Sequence, residues 1–559
     1  MGIDSAEEEF LQPPRSAASP QLLLFVLADF YDYSSTQQYE PVLRNSSVYN
    51  PLDTFRLPPG QERQYQQQYG DMYFLRLAKL KPAVEAVAIE AWEGLNIAGE
   101  HARRVERVLD VRQGELCWVA GTIYMEMPLK PNILKDLTED NFTLAPPPRR
   151  TYQDPSHPEL TEIMLEDESG RLRLTGSKLR SVQLCTGAII AVLGTENKNG
   201  DFEAIDIKVP DLAPQPTRWE RDDTQASKSS SKGKVALVSG LGITGASSDS
   251  LTLELLADYL LGYTQSSNAH TGDLPDASGI KRLIIAGNSI GVSTVPDAPS
   301  TQTGAAGKKM VQAKKYGYDA SAYNASPITQ LDSFLAELLP SMPITIMPGE
   351  TDPANFALPQ QPIHRAMFPR SRAYCAPPPS DEEKVEPGWF DSVTNPWEGD
   401  VEGWRFWGSS GQNVDDVLRY LNFADEDGNI DTNGDAEERL RIMEAMLRWR
   451  CGVPTAPDTI WSYPFQTNDP FVMHACPHLF FTGNQPQFKT TVIEGVVPLK
   501  LNGEDTDMGG TDEDAPAPTV RLLSIPKFRE TGELILVDTE TLEVEVVKFA
   551  AFAGKEEQQ

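Results

Sequence analysis

Four short glycine-bearing segments hold the residues with which this chain could do chemistry. They are Ser239-Gly-Leu-Gly-Ile-Thr-Gly245, Gly287-Asn288-Ser-Ile-Gly291, Gly349-Glu350-Thr351-Asp352 and Gly483-Asn484-Gln485-Pro486, each following a short apolar run. Loops leaving the carboxyl ends of strands are where an α/β protein assembles an active site. Their residue types narrow the possibilities. Glu350 and Asp352 are the acids in the four segments. Gly287 to Gly291 could cradle a phosphate through backbone N–H groups, yet it lacks the Lys and hydroxyl of a nucleotide loop and reads equally as a tight strand-to-helix turn. His364, His474 and His478 lie near these segments without metal-ligand spacing, and His478, beside a strand, reads as structural. Asn429-x-Asp431-x-Asn433-Gly434 matches half of a calcium loop but puts Leu440 where the bidentate Glu belongs. It reads as an exposed acidic turn.

The elements that must position these loops are legible as alternating runs. Val235–Ser239, Leu283–Ala286, Ile344–Met347 and Leu479–Phe481 read as buried strands, and Leu251–Tyr263 and Ile328–Leu339 as helices. Strand, helix, strand predicts a parallel sheet. Val520–Ile525 and a hairpin-like pair, Leu534–Val537 and Leu542–Phe549, close the chain. Asn413, after Gly411, is expected to cap a helix whose positive end Asp415 and Asp416 favour. Upstream, Leu116–Glu126, Arg171–Thr175, Ala188–Leu193 and Phe202–Val209 have the spacing of a small barrel, with a helix-like Ile133–Leu137 interposed. Before them Tyr65, Tyr69, Tyr73 and Leu77 recur every four residues within Glu62–Glu93. That period predicts an amphipathic helix, interrupted near Pro82, whose Tyr stripe is packing and not a stacking platform.

Composition excludes several classes. A net charge of −32 over 559 residues repels phosphate backbones and disfavours a broad nucleic-acid footprint. The barrel strands show few aromatics interleaved with Lys or Arg, so protein contact is the better expectation for that domain. Five cysteines with no C-x-x-C pair fit reduced, intracellular thiols. No segment reads as a secretory signal or a membrane span; the apolar run within Leu22–Phe30 is too short and belongs to neither leader nor motif.

The loop arrangement resembles the calcineurin-like metallophosphoesterase superfamily, whose loops read D-x-H, G-D-x-x-D, G-N-H-D/E and G-H-x-H and together hold two metals. That resemblance implies a degenerate site here. Ser239 begins the stretch where the first Asp and His are missing, Asn288 replaces the bridging Asp and Gly291 the next Asp. Glu350 stands for the Asn ligand, Thr351 for the catalytic His, Asp352 keeps an acid, and Asn484 and Pro486 occupy both His positions. A binuclear centre needs bridging carboxylates and imidazoles, so no metal, cofactor or catalytic residue is expected.

The form of this decay is itself recognisable. Met347-Pro-Gly-Glu-Thr-Asp-Pro-Ala-Asn-Phe-Ala-Leu-Pro-Gln-Gln-Pro362, Gly408-Ser-Ser-Gly-Gln-Asn-Val-Asp-Asp416, Thr455-Ala-Pro-Asp-Thr459, Tyr463-Pro-Phe465, Asp469-Pro-Phe-Val472 and Pro477-His-Leu-Phe-Phe-Thr-Gly-Asn-Gln-Pro486 resemble the small (B) regulatory subunits of DNA polymerase delta. The resemblance implies a mixed α+β and α/β chain: an OB-fold β-barrel joined to an inactive calcineurin-like phosphoesterase α/β sandwich. It implies a flexible leader at 1–59, a helical segment at 60–105, the OB-fold domain at 106–215, a linker at 216–233 and the phosphoesterase domain at 234–559. It further implies a nuclear, non-catalytic scaffold in DNA replication and repair. Such a scaffold bridges the cysteine-rich C-terminal domain of the polymerase delta catalytic subunit to a third accessory subunit and can be shared with polymerase zeta; it meets DNA only through the holoenzyme and meets no membrane. The acidic segments Pro377–Pro387 and Gly503–Pro518 read as variable surface loops.

Three other readings stay open at this point. Glu350 and Asp352 could support a residual metal-dependent phosphodiesterase or exonuclease; the barrel could bind single strands; or the chain could be the small subunit of polymerase alpha or epsilon.

Overall fold

A computed structural model of the protein describes residues 44, 47–60, 62–63, 69–131, 151–154, 156–218, 233–246, 250–263, 277–291, 325–376, 387–421, 435–496 and 517–549. Tyr65, the Leu22–Phe30 run, Ile133–Leu137, most of the 216–233 linker, the half calcium loop from Asn429 and most of both acidic segments lie outside these residues.

The segment expected to be a flexible leader contains structure near its end. Strand β1 (Tyr49–Pro51) pairs antiparallel with Gly399–Val401, and Tyr49 and Phe55 are buried. Phe55 lies edge-on to Trp407 at 6.1 Å between ring centroids. Apolar burial of two aromatic side chains orders a Pro-rich stretch that has no period of its own.

Helix α1 spans Gly70–Trp92 and runs through Pro82 without a break, a correction to the interruption expected there. A proline removes one backbone hydrogen bond, and the buried row Leu77, Leu80, Val84, Ala88 and Trp92 holds the helix together across the gap. That row packs on Leu116, Trp118, Ala120, Ile189, Ala191 and Leu193 of the barrel wall. The Tyr period leads into this row: Leu77 is its first buried member and Tyr73 is half-buried, while Tyr69, one turn earlier, is 40% exposed and its hydroxyl donates to the Ser462 carbonyl at 3.1 Å.

The barrel comprises β2 (Leu116–Glu126), β3 (Glu162–Glu166), β4 (Arg171–Thr175), β5 (Ile189–Glu196) and β6 (Phe202–Lys208). They hydrogen-bond in the order β2, β3, β4, β6, β5, and β5 pairs back onto β2, closing the ring. Closure removes the free edges of a small sheet. Val119, Ile123, Leu165, Leu172, Ile190, Val192 and Phe202 are among its buried interior side chains.

Two six-stranded sheets follow. In the first, β7 (Lys234–Val238), β8 (Ile280–Ala286), β9 (Ile344–Met347) and β10 (Phe390–Ser392) are parallel neighbours. Helices α2 (Ser250–Leu261) and α3 (Ser326–Leu338) supply the crossovers. In the second, β11 (Trp397–Val401) and β12 (Trp404–Ser409) form a hairpin whose turn residues Glu402 and Gly403 are both left-handed, as a two-residue turn matched to strand twist requires. Helices α4 (Gln412–Tyr420) and α5 (Asp435–Arg448) follow, then β13 (Leu479–Gln485), β14 (Lys489–Glu494) and β15 (Thr519–Pro526). Strands β12, β13 and β15 are parallel. After the short helix α6 (Phe528–Thr531), β16 (Glu533–Asp538) and β17 (Val544–Lys548) return antiparallel to the first sheet, as the hairpin-like pair predicted.

The inner faces of the two sheets share one core of Val235, Leu237, Ile284, Met347, Trp397, Phe406, Phe481, Leu523, Ile535 and Val537. Residues of α2 and α3 pack on the first sheet's other face. Residues of α4 and α5 form one cluster with the second sheet's other face and the barrel interior. The barrel and the sandwich therefore share a continuous core. At their junction Arg76 of α1, 1% exposed, donates Nε to Asp469 at 2.9 Å and Nη1 to the Pro454 carbonyl at 2.7 Å.

Candidate functional site

The parallel strands β7, β8, β9 and β13 deliver the four glycine-bearing loops to one end of the sandwich. The first two loops zip together through their backbones: Gly240 N–H donates to Gly287 O at 2.9 Å, Gly242 N–H to Asn288 O at 3.0 Å, and Ile243 N–H to Ser289 O at 2.9 Å. Gly291 N–H returns to Ile243 O at 2.9 Å. Amides that could have faced a phosphate are thus used between loops.

Asp352 ties the third loop to the second. Its carboxylate accepts the N–H groups of Gly349 at 2.9 Å, Ser289 at 3.2 Å and Ile290 at 2.8 Å. Burial pushes this acid up to about 6, against backbone donors that pull it down. Asn288, at φ +52°, accepts the Thr351 N–H at 3.3 Å through Oδ1, and Thr351 Oγ1 donates to Ile290 O. Glycine at 349 is required by the approach: a Cβ there would lie 2.2 Å from Asn288 Oδ1.

Asn484 fills the space where the fourth loop meets the others. It sits at φ +59°, its N–H donates to Ser239 Oγ at 2.8 Å, and its Nδ2 donates to Ser410 O at 2.8 Å and Ala286 O at 3.3 Å. Ser239 Oγ in turn donates towards Pro526 O at 3.0 Å and Ile525 O at 3.2 Å. Behind them runs an amide network absent from the sequence-derived residues. Gln360 Oε1 accepts Asn395 Nδ2 at 2.7 Å and Gln412 Nε2 at 3.1 Å, and Gln360 Nε2 donates to Gly349 O at 3.1 Å. Gln360, Asn395 and Gln412 lie far apart in the chain, and no spacing rule in the sequence points to their meeting.

The structure therefore brings Ser239, Asn288, Gly291, Thr351, Asp352 and Asn484 into one hydrogen-bonded cluster, while Glu350 and Pro486 lie exposed at its margin. Among the described residues no group of three or more His, Cys, Asp or Glu has an arrangement that could hold a metal ion. His478 lies in the second sheet's hairpin region, where its Nδ1 accepts the Arg405 N–H at 3.0 Å. Burial, aided by Arg405, pushes it down to about 4, so it is neutral. Asn413 is not the helix cap expected: α4 starts after Gly411 at φ +111°, and Asn413 is buried in the first turn, accepting from Ser409 Oγ and donating to Gly452 O, each at 2.8 Å.

Beside the cluster opens a groove of about 140 Å³ whose lining includes Glu350, Phe356, Gln412, Asp416, Arg419 and Trp461. Its floor is the buried Asp416, which accepts Tyr152 Oη at 2.7 Å and Thr459 Oγ1.

Comparison with known proteins gives consistent matches. Residues 235–490 match the DNA polymerase alpha/epsilon B-subunit family, and residues 68–207 match the DNA polymerase delta subunit OB-fold domain. The DNA polymerase delta small subunit of Saccharomyces cerevisiae is 33% identical over 521 residues, covering 90% of this chain and 93% of that protein. The small subunits of Oryza sativa subsp. japonica and Arabidopsis thaliana are 31% and 32% identical, each covering 91% of this chain and 98% and 96% of their own lengths.

Proposed function

From the premise that this chain belongs to the DNA polymerase delta small-subunit family, accessory subunits of the polymerase, we propose that it is a non-catalytic scaffold. Its sandwich is a degenerate calcineurin-like phosphoesterase domain over about 234–559, joined to the OB-fold domain over about 106–215 with the helical segment at 60–105 packed on it. The observation that carries this reading is the fate of the loops. Ser239, Asn288, Thr351, Asp352 and Asn484 bond one another and the loop backbones, which leaves, among the described residues, no carboxylate or imidazole set to bridge two metals. No catalytic, metal-binding or cofactor-binding role is assigned to any of them.

The scaffold reading places the chain in the nucleus, where it bridges the cysteine-rich C-terminal domain of the catalytic subunit to a third accessory subunit. Sharing with polymerase zeta follows from the same reading, and DNA is reached through the holoenzyme. The net charge of −32 supports a subunit that holds proteins while another chain grips DNA. Among the described residues no helix is long and apolar enough to cross a membrane. The small subunit of another replicative polymerase is the weaker reading, because the full-length relatives are delta subunits.

The test is enzymatic and elemental. Full-length protein incubated with Mn²⁺ and bis(p-nitrophenyl) phosphate is expected to show no hydrolysis above buffer and no stoichiometric metal by plasma mass spectrometry. About two metals per chain with turnover would restore the phosphodiesterase reading.

A further inference from the structure

The groove beside the loop cluster has the chemistry of a receptor for one cationic side chain. Its lining carries three carboxylates, Glu350, Asp415 and Asp416, against the guanidinium of Arg419. These groups differ in what they have left to give. Asp416 is buried and saturated by Tyr152 and Thr459, with Arg419 Nη1 at 3.5 Å. Asp415 bonds Arg439, which also donates to Gln485 Oε1 at 2.7 Å. Glu350 is exposed and makes no hydrogen bond or ion pair among the described residues.

Over the same groove stands Phe356, 72% exposed. Its loop is held rigidly. Asn355 Nδ2 donates to Ala357 O and to Pro359 O at 3.3 Å, and Asn355 Oδ1 accepts the Gln361 N–H. Gln360 Nε2 donates to Asn355 O at 3.0 Å, and Gln361 Nε2 donates to Phe55 O at 3.1 Å. A large aromatic ring displayed on a loop with so little freedom is preorganised for contact. Trp461, Ile460 and Leu358 complete an apolar wall.

A free carboxylate beside an exposed aromatic ring matches a guanidinium, which pairs with the one and stacks on the other. Phosphates would meet net negative charge, and a purely apolar side chain would leave Glu350 unpaired. We propose that this groove receives an arginine side chain from a basic, extended segment of another subunit of the polymerase complex, paired to Glu350 and stacked against Phe356. The assignment rests on the accessory-subunit reading for the source of that segment.

The experiment uses full-length protein assembled with the catalytic and third accessory subunits. Phe356→p-benzoylphenylalanine is photolysed in the complex and the joined peptide identified by mass spectrometry. The expected product is a partner segment containing arginine. Glu350→Arg is expected to weaken assembly on the order of tenfold, and changing the identified partner arginine to Glu is expected to restore it. Native-strength assembly by both Glu350→Arg and Phe356→Ala, or photoproducts on DNA or on a segment without Arg, would overturn the groove assignment while leaving the scaffold reading intact. Failure of the native chain to capture either subunit would overturn both.

Discussion

The carboxylate of Asp352 accepts the backbone N–H of Ile290 at 2.8 Å, so this acid of the third loop is committed to the backbone of the second. A second bond, from Thr351 N–H to Asn288 Oδ1, joins the same two loops, and Asn484 N–H donating to Ser239 Oγ ties the fourth loop to the first. Asp352→Ala orphans three buried N–H groups, those of Gly349, Ser289 and Ile290. Each costs about 1–3 kcal/mol, offset in part by relief of a buried charge. Urea unfolding at neutral pH is expected to show a net loss of at least about 2 kcal/mol.

The same residue sets a pH dependence of definite sign. Burial holds Asp352 at about 6 against its ordinary 3.8. Between those values the folded chain binds more protons than the unfolded chain, so the contribution of Asp352 to stability falls as pH rises through that window and is level above it. The stability difference between native protein and Asp352→Ala should therefore shrink from 3.8 to about 6. A difference that grows over this range would show that hydrogen bonding outweighs desolvation at Asp352.

The barrel and sandwich are joined through a buried ion pair. Arg76 and Asp469 are 1% and 0% exposed at their side chains, with Nη2 2.9 Å from Oδ2. Removing one partner of such a pair strands the other charge, at about 3–5 kcal/mol. Arg76→Ala should lower the urea midpoint accordingly, and adding Asp469→Ala should recover part of the loss.

Close approach at this junction also depends on a glycine. Gly187 has φ +90°, and a Cβ there would lie 1.9 Å from Pro454 O and 3.0 Å from Arg76 Nη1. Gly187→Ala is expected to destabilise the fold by at least about 1 kcal/mol, read as a lowered Tm by calorimetry. An unchanged Tm would mean that barrel and sandwich are not locked together there.

Much of this architecture was legible because a buried parallel strand such as Ile344–Met347 reads as a short apolar run, and because the barrel strands Leu116–Glu126 and Arg171–Thr175 read as short β-like runs set off by turn residues. The four loops were visible because glycine marks strand ends. The missed strands β1, β11 and β12 lacked a period, whereas the unread helix α5 carries one in Ala436, Leu440, Met443 and Leu447. The hairpin of β11 and β12 mixes Trp with Glu, Gly, Asp and Arg in no regular alternation, and β1 lies in a Pro-rich stretch whose burial depends on distant Trp397 and Trp407. Asn413 looked like a cap because its type suits one, but its partners come from Ser409 and Gly452. The hydrogen bonds that commit Asp352 and Asn484 join residues far apart in the chain, and no local spacing encodes them.

The central claim is that this chain acts by holding a polymerase together. Co-expressing it with the C-terminal domain of the same organism's delta catalytic subunit, then weighing the purified species by size exclusion with light scattering, tests that claim most directly. A stable one-to-one complex at low and moderate salt is the predicted result. Elution of the chain alone under both conditions would contradict it.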